Sequence, residues 1–411
     1  MEKTRDIDDA LFTQLLDLGA ALIACGGDVN LVEGSIVRMG AAYGAVRTDA
    51  FVITSGLNVT VRNADGGTLT QTRRIHTAMS NNFDKLERLN ALVDRCCNEL
   101  LGADAIGREL ASIRDGAANR VLVYLGGVLA AASFALFFGG SFADAAVSAA
   151  FALVICLLGD YVKPFCPNEI VYSFVAALVS GLGICACVRL FPGLHGDMII
   201  IGDIMLLIPG IAITNAMRDM LAGDTVAGAL RFLEAVLWTG ALALGYMLAI
   251  WLVGAQVDSA LQPDAAVQLV CALPASLGFA LLFNLRPKLL MIAAVGGLAT
   301  WAVYLGCGLV MEGVFFPCLV ASLVAAAYAQ VLARVLRAPI SIFYIICEIP
   351  LIPGRGLYYT VSNAVQQNWQ SMQDFAFMTG SYVVAIAFGI GIAWAIGQIA
   401  RRIARRVDDR A

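Results

Sequence analysis

Two carboxylates lie inside long apolar segments, and the same proline-glycine break follows each of them. Asp203 comes six residues before Pro209 in the stretch GDIMLLIPG, and Glu348 comes five residues before Pro353 in the stretch CEIPLIPG. Proline removes a helical hydrogen bond, and the glycine after it loosens the next turn. An acid at membrane depth is costly unless it is paired, protonated or hydrated. Two such breaks in one chain are typical of a transport site built from interrupted helices.

Each break offers chemical groups that suit a small ionic solute. A helix that resumes at Gly210 or at Gly354 presents free N–H groups to a carboxylate. Asp203 and Glu348 are predicted to load and release a proton, because burial favours the neutral acid and a nearby cation favours the ionised form. The alternatives are a kink that serves packing alone and a hydrated acid near a helix end, which fits Asp203 better than Glu348.

Other polar residues follow the two breaks. Arg355 either clamps a solute carboxylate or forms a structural ion pair with Glu348, and the sequence leaves both interpretations open. Hydroxyl and amide groups that suit an amino group or a hydroxyl lie one to three turns beyond the breaks, at Thr214, Asn215, Ser362 and Asn363. Hydrogen bonding between helices explains them equally well. The Arg218-Asp219 pair is interpreted as an anchor near a helix end.

The composition is that of a membrane protein. The chain has 411 residues, of which 60% are hydrophobic and 14% are charged, whereas soluble domains are about 25% charged. From Val121 onward, apolar runs long enough to cross ~30 Å of hydrocarbon follow one another. Ten spans are predicted, near residues 119–139, 142–160, 169–190, 197–217, 228–254, 266–284, 288–308, 311–333, 339–364 and 376–399.

The distribution of Lys and Arg predicts the orientation of these spans. With the N-terminus inside, the cytoplasmic connections and the tail hold Lys163, Arg218, Arg231, Arg286, Lys288, Arg334, Arg337, Arg401, Arg402, Arg405 and Arg406. The opposite connections hold almost no cations, with only Arg189 near that side. This pattern follows the positive-inside rule. The first residues contain no signal-peptide core, so both termini are expected in the cytoplasm of a bacterial cell, and the chain in its inner membrane.

The spacing of the breaks predicts an inverted repeat. Pro209 falls in the fourth predicted span and Pro353 in the ninth, so five spans separate them and the two halves run in opposite directions. The expected fold is a polytopic α-helical membrane protein with two inverted five-helix repeats and an N-terminal cytoplasmic α+β domain. The predicted domains are residues 1–118, 119–254 and 266–399, followed by a basic cytoplasmic tail at 400–411.

The N-terminal domain combines helical and strand patterns. Apolar spacing predicts helices at 7–25, 29–44, 82–101 and 104–115, and alternation predicts strands at 50–54, 57–61 and 68–74. Glu33, Arg73, Arg74 and His76 are its most distinctive polar residues. Surface charge on helices and an edge strand is the favoured explanation for them. A ligand site would require Glu33, Arg73 and His76 to meet in one cleft.

Several classes of function lack their sequence signatures. The chain has no Gly-x-Ser-x-Gly elbow, no HExxH and no phosphate-binding Gly-x4-Gly-Lys-Ser/Thr loop, so neither an enzyme nor ATP-driven pumping is expected. Cys96 and Cys97 have no histidine or further cysteine at zinc-ligand spacing. Most of the 11 cysteines lie in apolar runs, where cysteine acts as a small hydrophobe. No metal, cofactor or nucleic-acid partner is predicted.

The order of several short motifs resembles the threonine/serine exporter family. The stretches that carry the resemblance are GGDVNLVE (26–33), FVITSG (51–56), RRI (73–75), NFDKLE (82–87), LIPGIAITN (207–215) with Arg218-Asp219, and IPLIPG (349–354). Each is short, but their order covers nearly the whole chain. The resemblance implies a fused form of an arrangement that is split across two subunits in other members, with the joint near residues 252–265.

The resemblance also implies a function. Family members export threonine or serine, and split members are linked to export of small dicarboxylates such as succinate. The expected protein is therefore a secondary transporter, an antiporter coupled to the proton gradient, whose partners are a small carboxylate-bearing solute and lipid; a homo-oligomer is compatible with the sequence. The rivals are a membrane-anchored enzyme or sensor that acts through the N-terminal domain, a passive channel, and a regulator that moves no solute.

Overall fold

The computed structural model describes residues 7–75, 82–254, 263–336 and 338–408. The chain divides into two compact units. The first consists of Met1–Ala118 together with Phe283–Arg286, and the second of Asn119–Leu282 together with Pro287–Ala411. Each unit has its own set of secondary-structure elements, which are given below for the described residues.

The first unit contains four helices and three strands. They are α1 (Asp9–Ala24), α2 (Val29–Ala42), β1 (Arg47–Ile53), β2 (Gly56–Arg62), β3 (Thr68–Arg74), α3 (Phe83–Glu99) and α4 (Ala103–Asp115). Side-chain caps fix where three of the helices begin. Asp8, Asp28 and Asn82 each accept a hydrogen bond from a backbone N–H in the first turn of α1, α2 and α3. The predicted helices and strands are present, within a few residues of their expected bounds.

The three strands form one antiparallel sheet in the order β1-β2-β3. Leu57, Val59 and Val61 alternate along β2 and are buried, which places the core on one face of the sheet. β1 begins at Arg47, three residues before the predicted start, because Arg47 still pairs with Arg62 at the far end of β2. β1 therefore continues as far as its backbone pairs with β2, which is further than the alternation of apolar residues predicts.

Four residues from late in the chain belong to the first unit. The backbone N–H of Phe83 donates a 2.9 Å hydrogen bond to the carbonyl of Phe283, and the two rings meet edge to face at 5.2 Å. Arg286 Nη1 donates to Glu87 Oε1 at 2.8 Å. Burial raises the pKa of the Glu87 carboxyl, and the charge of Arg286 opposes that shift. The segment Phe283–Arg286 is thus held by both apolar and ionic contacts.

The second unit is entirely helical within the described residues. Its helices are α5 (Arg120–Phe137), α6 (Phe142–Tyr161), α7 (Glu169–Leu190), α8 (Gly196–Leu207), α9 (Gly210–Ala222), α10 (Thr225–Val253), α11 (Ala265–Leu282), α12 (Pro287–Gly308), α13 (Phe315–Leu336), α14 (Ile340–Glu348), α15 (Gly354–Val365) and α16 (Trp369–Asp408). Short 3-10 turns occupy Lys163–Phe165 and Ile349–Leu351.

The length and composition of these helices identify a polytopic membrane protein. Among the described residues, eight helices are long and apolar enough to cross a bilayer. Two further spans are each made of a pair of helices bent against each other. One pair, Gly196–Leu207 with Ala212–Met220, is bent by 54°, and the other, Ile340–Leu351 with Gly354–Ala364, is bent by 55°. Counting each bent pair as one span gives ten.

Two helix bounds differ from the sequence prediction for local reasons. The helix expected from residue 311 begins at Phe315, because Gly313 adopts a φ of +79° that a helix cannot contain. The last helix runs from Trp369 to Asp408, so it continues through most of the segment predicted as a separate tail at 400–411. Its last residues include Ile, Ala and Arg, with no glycine or proline to end the helix.

The two breaks have nearly the same backbone geometry. Pro209 has φ −80° and ψ 45°, and Pro353 has φ −80° and ψ 51°. In each case the proline is the residue before a new helix, and its carbonyl accepts a 3.0 Å hydrogen bond from the residue four positions on, Ile213 or Leu357. The Leu-Ile-Pro-Gly sequence therefore ends one helix and starts the next in the same way at both places.

The two breaks also pack against each other. A methyl group added at Gly210 would overlap Ile352, and one added at Gly354 would overlap Met205 and lie 3.7 Å from Ile208. Ile208 and Ile352 each directly precede their own Pro-Gly pair. Residues close before each break therefore pack against the glycine of the other break, and we call this contact the crossing.

Replacing either glycine of the crossing with alanine is expected to damage the second unit. The added methyl group overlaps the branched side chain of Ile352 in Gly210→Ala and the flexible side chain of Met205 in Gly354→Ala. Overpacking costs about 1–3 kcal/mol, and we expect the smaller loss at Gly354 because Met205 can move. We expect a lower midpoint in a thermal unfolding assay of the purified protein in detergent.

Gly240→Ala is the matched control for this prediction. Gly240 lies within α10, and a methyl group added there would meet no atom within 4 Å. This variant should behave as the unaltered protein does. Equal thermal midpoints for all three variants would show that the crossing does not depend on close contact at the glycines.

Candidate functional site

Asp203 is fully buried in α8. Its Oδ1 accepts a 2.8 Å hydrogen bond from Ser148 Oγ of α6, whereas its Oδ2 has no hydrogen-bond partner among the described residues. Ser148 is itself fully buried. The alternative of a hydrated acid near a helix end is therefore wrong for Asp203, because no water-exposed surface remains around the side chain.

Glu348 is the last residue of α14 and is also buried, with 2% of its surface exposed. Ser322 Oγ of α13 lies 2.9 Å from Glu348 Oε1 and 2.9 Å from the carbonyl oxygen of Ile386 in α16. One hydroxyl thus joins the carboxyl to the backbone of a third helix. Both acids therefore have a buried serine as their hydrogen-bond partner.

The two acids face different neighbours because their spacing from the prolines differs by one residue. One residue rotates a side chain about 100° around a helix axis. Asp203 contacts α6, which is the second helix of the second unit, whereas Glu348 contacts α13. Cys347 occupies the position that matches Asp203, and its Sγ approaches a carbonyl of α12 instead, that of Ala293 at 3.9 Å. The acids are therefore similar in chemistry but not equivalent in position.

The polar residues beyond the first break have different partners. Thr214 Oγ1 donates to the carbonyl of Gly210 in its own helix at 3.0 Å. Asn215 Oδ1 instead accepts a 2.8 Å hydrogen bond from the hydroxyl of Tyr344 in α14. Of these two residues, Asn215 is the one whose side chain connects the first broken helix to the second.

The polar residues beyond the second break bond mainly to nearby groups. Asn363 Nδ2 donates to the carbonyl of Tyr359 in its own helix at 2.8 Å. Ser362 Oγ lies 3.3 Å from Met247 Sδ of α10 and accepts a 3.1 Å hydrogen bond from Gln366. Neither contact reaches the other broken helix, so both residues line α15 without joining the crossing.

Arg355 is directed along its own helix rather than toward Glu348. Its guanidinium carbon lies 5.5 Å from the centre of the Tyr359 ring, one turn further along α15. Arg355 and Glu348 form no ion pair within the described residues. The alternative of a structural ion pair between them is therefore wrong, and Glu348 has Ser322 as its partner.

A polar network that sequence reasoning missed joins the two broken helices. Arg218 Nη1 of α9 donates a 2.5 Å hydrogen bond to the Tyr344 hydroxyl, and the guanidinium carbon lies 5.3 Å from the centre of the same ring. Arg218 also contacts Asp219, whose carboxylate pairs with Arg231 of α10 at 2.9 Å. The charge of Arg218 acts on Glu348 as well.

This network corrects the interpretation of Arg218-Asp219 as an anchor near a helix end. The Asp219 side chain is fully buried, and 5% of the Arg231 side chain is exposed. Arg231 lies 12 residues after Asp219, across the turn that contains Gly223 at φ +103°. The sequence contains this spacing, but the role of Tyr344 carries no local signal, because Tyr344 follows Phe343 within a short apolar helix.

Polar contacts also lie at the other end of the broken helices. The Tyr359 hydroxyl of α15 donates to Asp197 Oδ2 in the first turn of α8, at 3.4 Å. Nearby in sequence, the backbone N–H of His195 donates to Asp144 Oδ1 at 2.8 Å, and His195 Nδ1 lies 2.8 Å from Asp144 Oδ2. Asp144 is fully buried. These acids were not selected from the sequence, because each lies near a helix start, where acids are common.

Two of the distinctive polar residues of the first unit, Glu33 and Arg73, contact different elements. Glu33 Oε1 accepts a 3.0 Å hydrogen bond from the backbone N–H of Val52, and Arg73 pairs with Asp17 of α1. Arg74 is exposed on β3, and His76 lies outside the described residues. These contacts of Glu33 and Arg73 hold the sheet to its helices.

The cysteines of the chain are free thiols. Burial raises the pKa of Cys96 to about 11, so this thiol stays protonated at neutral pH. No group of three or more metal-ligating side chains is found within the parts of the chain that the structure describes. Cys96 is buried in α3, and its neighbour Cys97 is partly exposed.

The chain matches two family models that together cover most of its length. The first, described as a putative threonine/serine exporter, matches residues 14–253, and the second, described as threonine/serine exporter ThrE, matches residues 268–396. Comparison with curated proteins and with solved structures gave no match. These matches show that the chain belongs to the threonine/serine exporter family. It is a fused form of that family, because one polypeptide carries both regions.

Proposed function

We propose that this protein is a secondary transporter that exports threonine or serine from the cytoplasm in exchange for protons. The observation that carries the proposal is the pair of buried carboxyls, Asp203 and Glu348, one on each of two broken helices that pack against each other. Membership of an exporter family supplies the class of solute. Acids inside membrane segments are usually part of a solute or proton path.

The hydrogen-bond inventory around the two acids supports proton exchange. The single hydroxyl hydrogen of Ser322 serves two acceptors, Glu348 and the Ile386 carbonyl. A hydrogen on the Glu348 carboxyl would complete this chain, with the acid donating to Ser322 Oγ. Asp203 has one buried oxygen without a partner among the described residues. An ionised carboxylate in either place is costly, so arrival of a cation would favour loss of the proton.

A zwitterionic amino acid suits these groups. Its carboxylate is attracted to the N-terminal ends of α9 and α15, both of which begin at the crossing. Its ammonium group is attracted to an ionised Asp203 or Glu348. A proton that reaches the same carboxyl displaces the ammonium group, so proton entry drives solute exit. Asn215, Thr214 and Asn363 supply further polar groups along the two helices.

An inverted repeat explains the matched geometry of the breaks. The two prolines share their backbone conformation, the two bends are 54° and 55°, and each glycine contacts the residue before the other break. We infer two five-helix halves, residues 119–254 and 266–399, that follow an N-terminal domain of residues 1–118. The first helices of these halves also meet closely, since a methyl group added at Gly126 would lie 2.6 Å from the Gly278 carbonyl oxygen.

The proposed orientation places both termini in the cytoplasm of a bacterial cell. The connections on that side hold most of the Lys and Arg residues of the second unit. In this orientation, α9 runs from the crossing to the cytoplasmic side, and α15 runs from the crossing to the outer side. The network of Arg218 and Tyr344 then lies on the inner side, and the contact of Tyr359 with Asp197 lies on the outer side.

Removing the acidic groups is expected to uncouple transport from the proton gradient. In Glu348→Gln and Asp203→Asn the side chains keep their size but cannot lose a proton. Accumulation of labelled serine driven by a pH gradient should be abolished in proteoliposomes, whereas exchange of labelled for unlabelled serine at high concentration should continue.

Glu312→Gln is the control, because Glu312 is exposed at a connection between helices. Its gradient-driven accumulation should equal that of the unaltered protein. Normal gradient-driven accumulation in the Asp203→Asn, Glu348→Gln double variant would exclude these acids from proton coupling.

The choice of solute can be tested by counterflow. Proteoliposomes loaded with unlabelled serine, threonine or succinate are diluted into labelled solute, and entry of label measures exchange. We expect exchange with serine and threonine, because a zwitterion matches the combination of acids and helix N-termini. Exchange with succinate alone would assign the site to dicarboxylates, with Arg355 as the added cation, and would overturn the amino-acid proposal.

A further inference from the structure

Two tyrosine hydroxyls link the broken helices, one on each side of the crossing. Tyr344 of α14 contacts α9, and Tyr359 of α15 contacts α8. Each tyrosine therefore joins a half-helix of one broken pair to a half-helix of the other. The two contacts therefore lie on opposite sides of the crossing along the broken helices, where each holds one half-helix against another.

The contact at Tyr344 consists of two short hydrogen bonds. Its hydroxyl accepts from Arg218 at 2.5 Å and donates to Asn215 at 2.8 Å, so both hydrogen-bonding roles of the oxygen are in use. The Arg218 guanidinium also lies against the ring face. Asp219 contacts Arg218 and pairs with Arg231 of α10. Three helices are thus joined through one hydroxyl and three charged groups.

The contact at Tyr359 is a longer one. Its hydroxyl donates to Asp197 Oδ2 at 3.4 Å, near the limit for a hydrogen bond of this type. The ring stacks on Phe375 of α16 with centroids 4.9 Å apart, and Arg355 lies over the ring at 5.5 Å. Apolar and cation–π contacts position this ring, and its polar link to α8 is weaker than the link at Tyr344.

We propose that Tyr344 and Tyr359 are the gate residues of the transport path, and that they open alternately. Tyr344, with Arg218 and Asn215, closes the inner side in this conformation, and Tyr359, with Asp197, closes the outer side less firmly. This inference rests on the proposed transport function and the proposed orientation. It assigns the structure to a state in which the inner gate is shut and the outer gate is the first to open.

The gates can be tested by the accessibility of a cysteine placed between them. Thr214→Cys introduces a similar side chain that is 4% exposed and lies between the crossing and the inner contact. A membrane-impermeant methanethiosulfonate reagent is applied from one side at a time, to right-side-out or inside-out vesicles. Mass spectrometry of the peptide that contains position 214 measures the reaction, so the native cysteines can remain.

The two gate variants should shift the reaction in opposite directions. Tyr344→Phe removes two hydrogen bonds but keeps the ring, and we expect reaction from the inner side to rise roughly tenfold relative to reaction from the outer side. Tyr359→Phe should raise reaction from the outer side, by a smaller factor, because its hydrogen bond is longer.

Tyr124→Phe is the matched control. The Tyr124 hydroxyl donates a 2.6 Å hydrogen bond to Asp160, which joins α5 to α6 away from the crossing. This variant should leave the ratio of inner to outer reaction unchanged. A ratio that is unchanged in Tyr344→Phe, or that shifts in the same direction in both gate variants, would overturn the gate assignment.

The accessibility measurement separates this inference from the proposed function. It records which side reaches position 214 and requires neither a proton gradient nor an identified solute. Opposite shifts in the two gate variants, together with normal proton coupling in the acid variants, would support the gates and reject the coupling mechanism. Loss of coupling without the shifts would support the mechanism and reject the gates.

Discussion

The structure of the second unit depends on the packing of two interrupted helices against each other inside a membrane. A bilayer core supplies no water to backbone groups that a break releases, so a break persists only where protein covers it. Here each break covers the other. The residue before one Pro-Gly pair fits against the glycine of the other pair, and a side chain at either glycine would separate them. Close packing of the two breaks therefore places the starts of α9 and α15 beside each other, with Asp203 and Glu348 on the half-helices that precede them.

The sequence predicts where the helices and their breaks lie better than it predicts which side chains contact each other. Pro209 and Pro353 locate both breaks, because proline has a local effect that needs no tertiary context. Periodicity likewise predicts the helices and strands of the first unit. The sequence could not predict the hydrogen-bond partners of the acids, because Ser148 lies 55 residues from Asp203 and Ser322 lies 26 residues from Glu348 along the chain. The contact of Tyr344 with Arg218 spans 126 residues, and only the folded chain brings them together.

A difference of one residue separates the chemistry of the two broken helices. Matched backbones at the prolines place Cys347, not Glu348, at the position of Asp203, so the two acids face different helices. Asp203 has a serine and no cation within the described residues, whereas the charge of Arg218 acts on Glu348. The two broken helices thus resemble each other in backbone at the breaks but not in electrostatics.

The segment Phe283–Arg286 has a consequence for how such a protein can be divided. It follows α11 directly in sequence, yet its contacts with Phe83, Asp84 and Glu87 make it part of the first unit. If the polypeptide were cut in the linker between α10 and α11, these four residues would come from a second chain. The N-terminal unit would then be complete only after association, and the same contacts would serve as a recognition element between subunits.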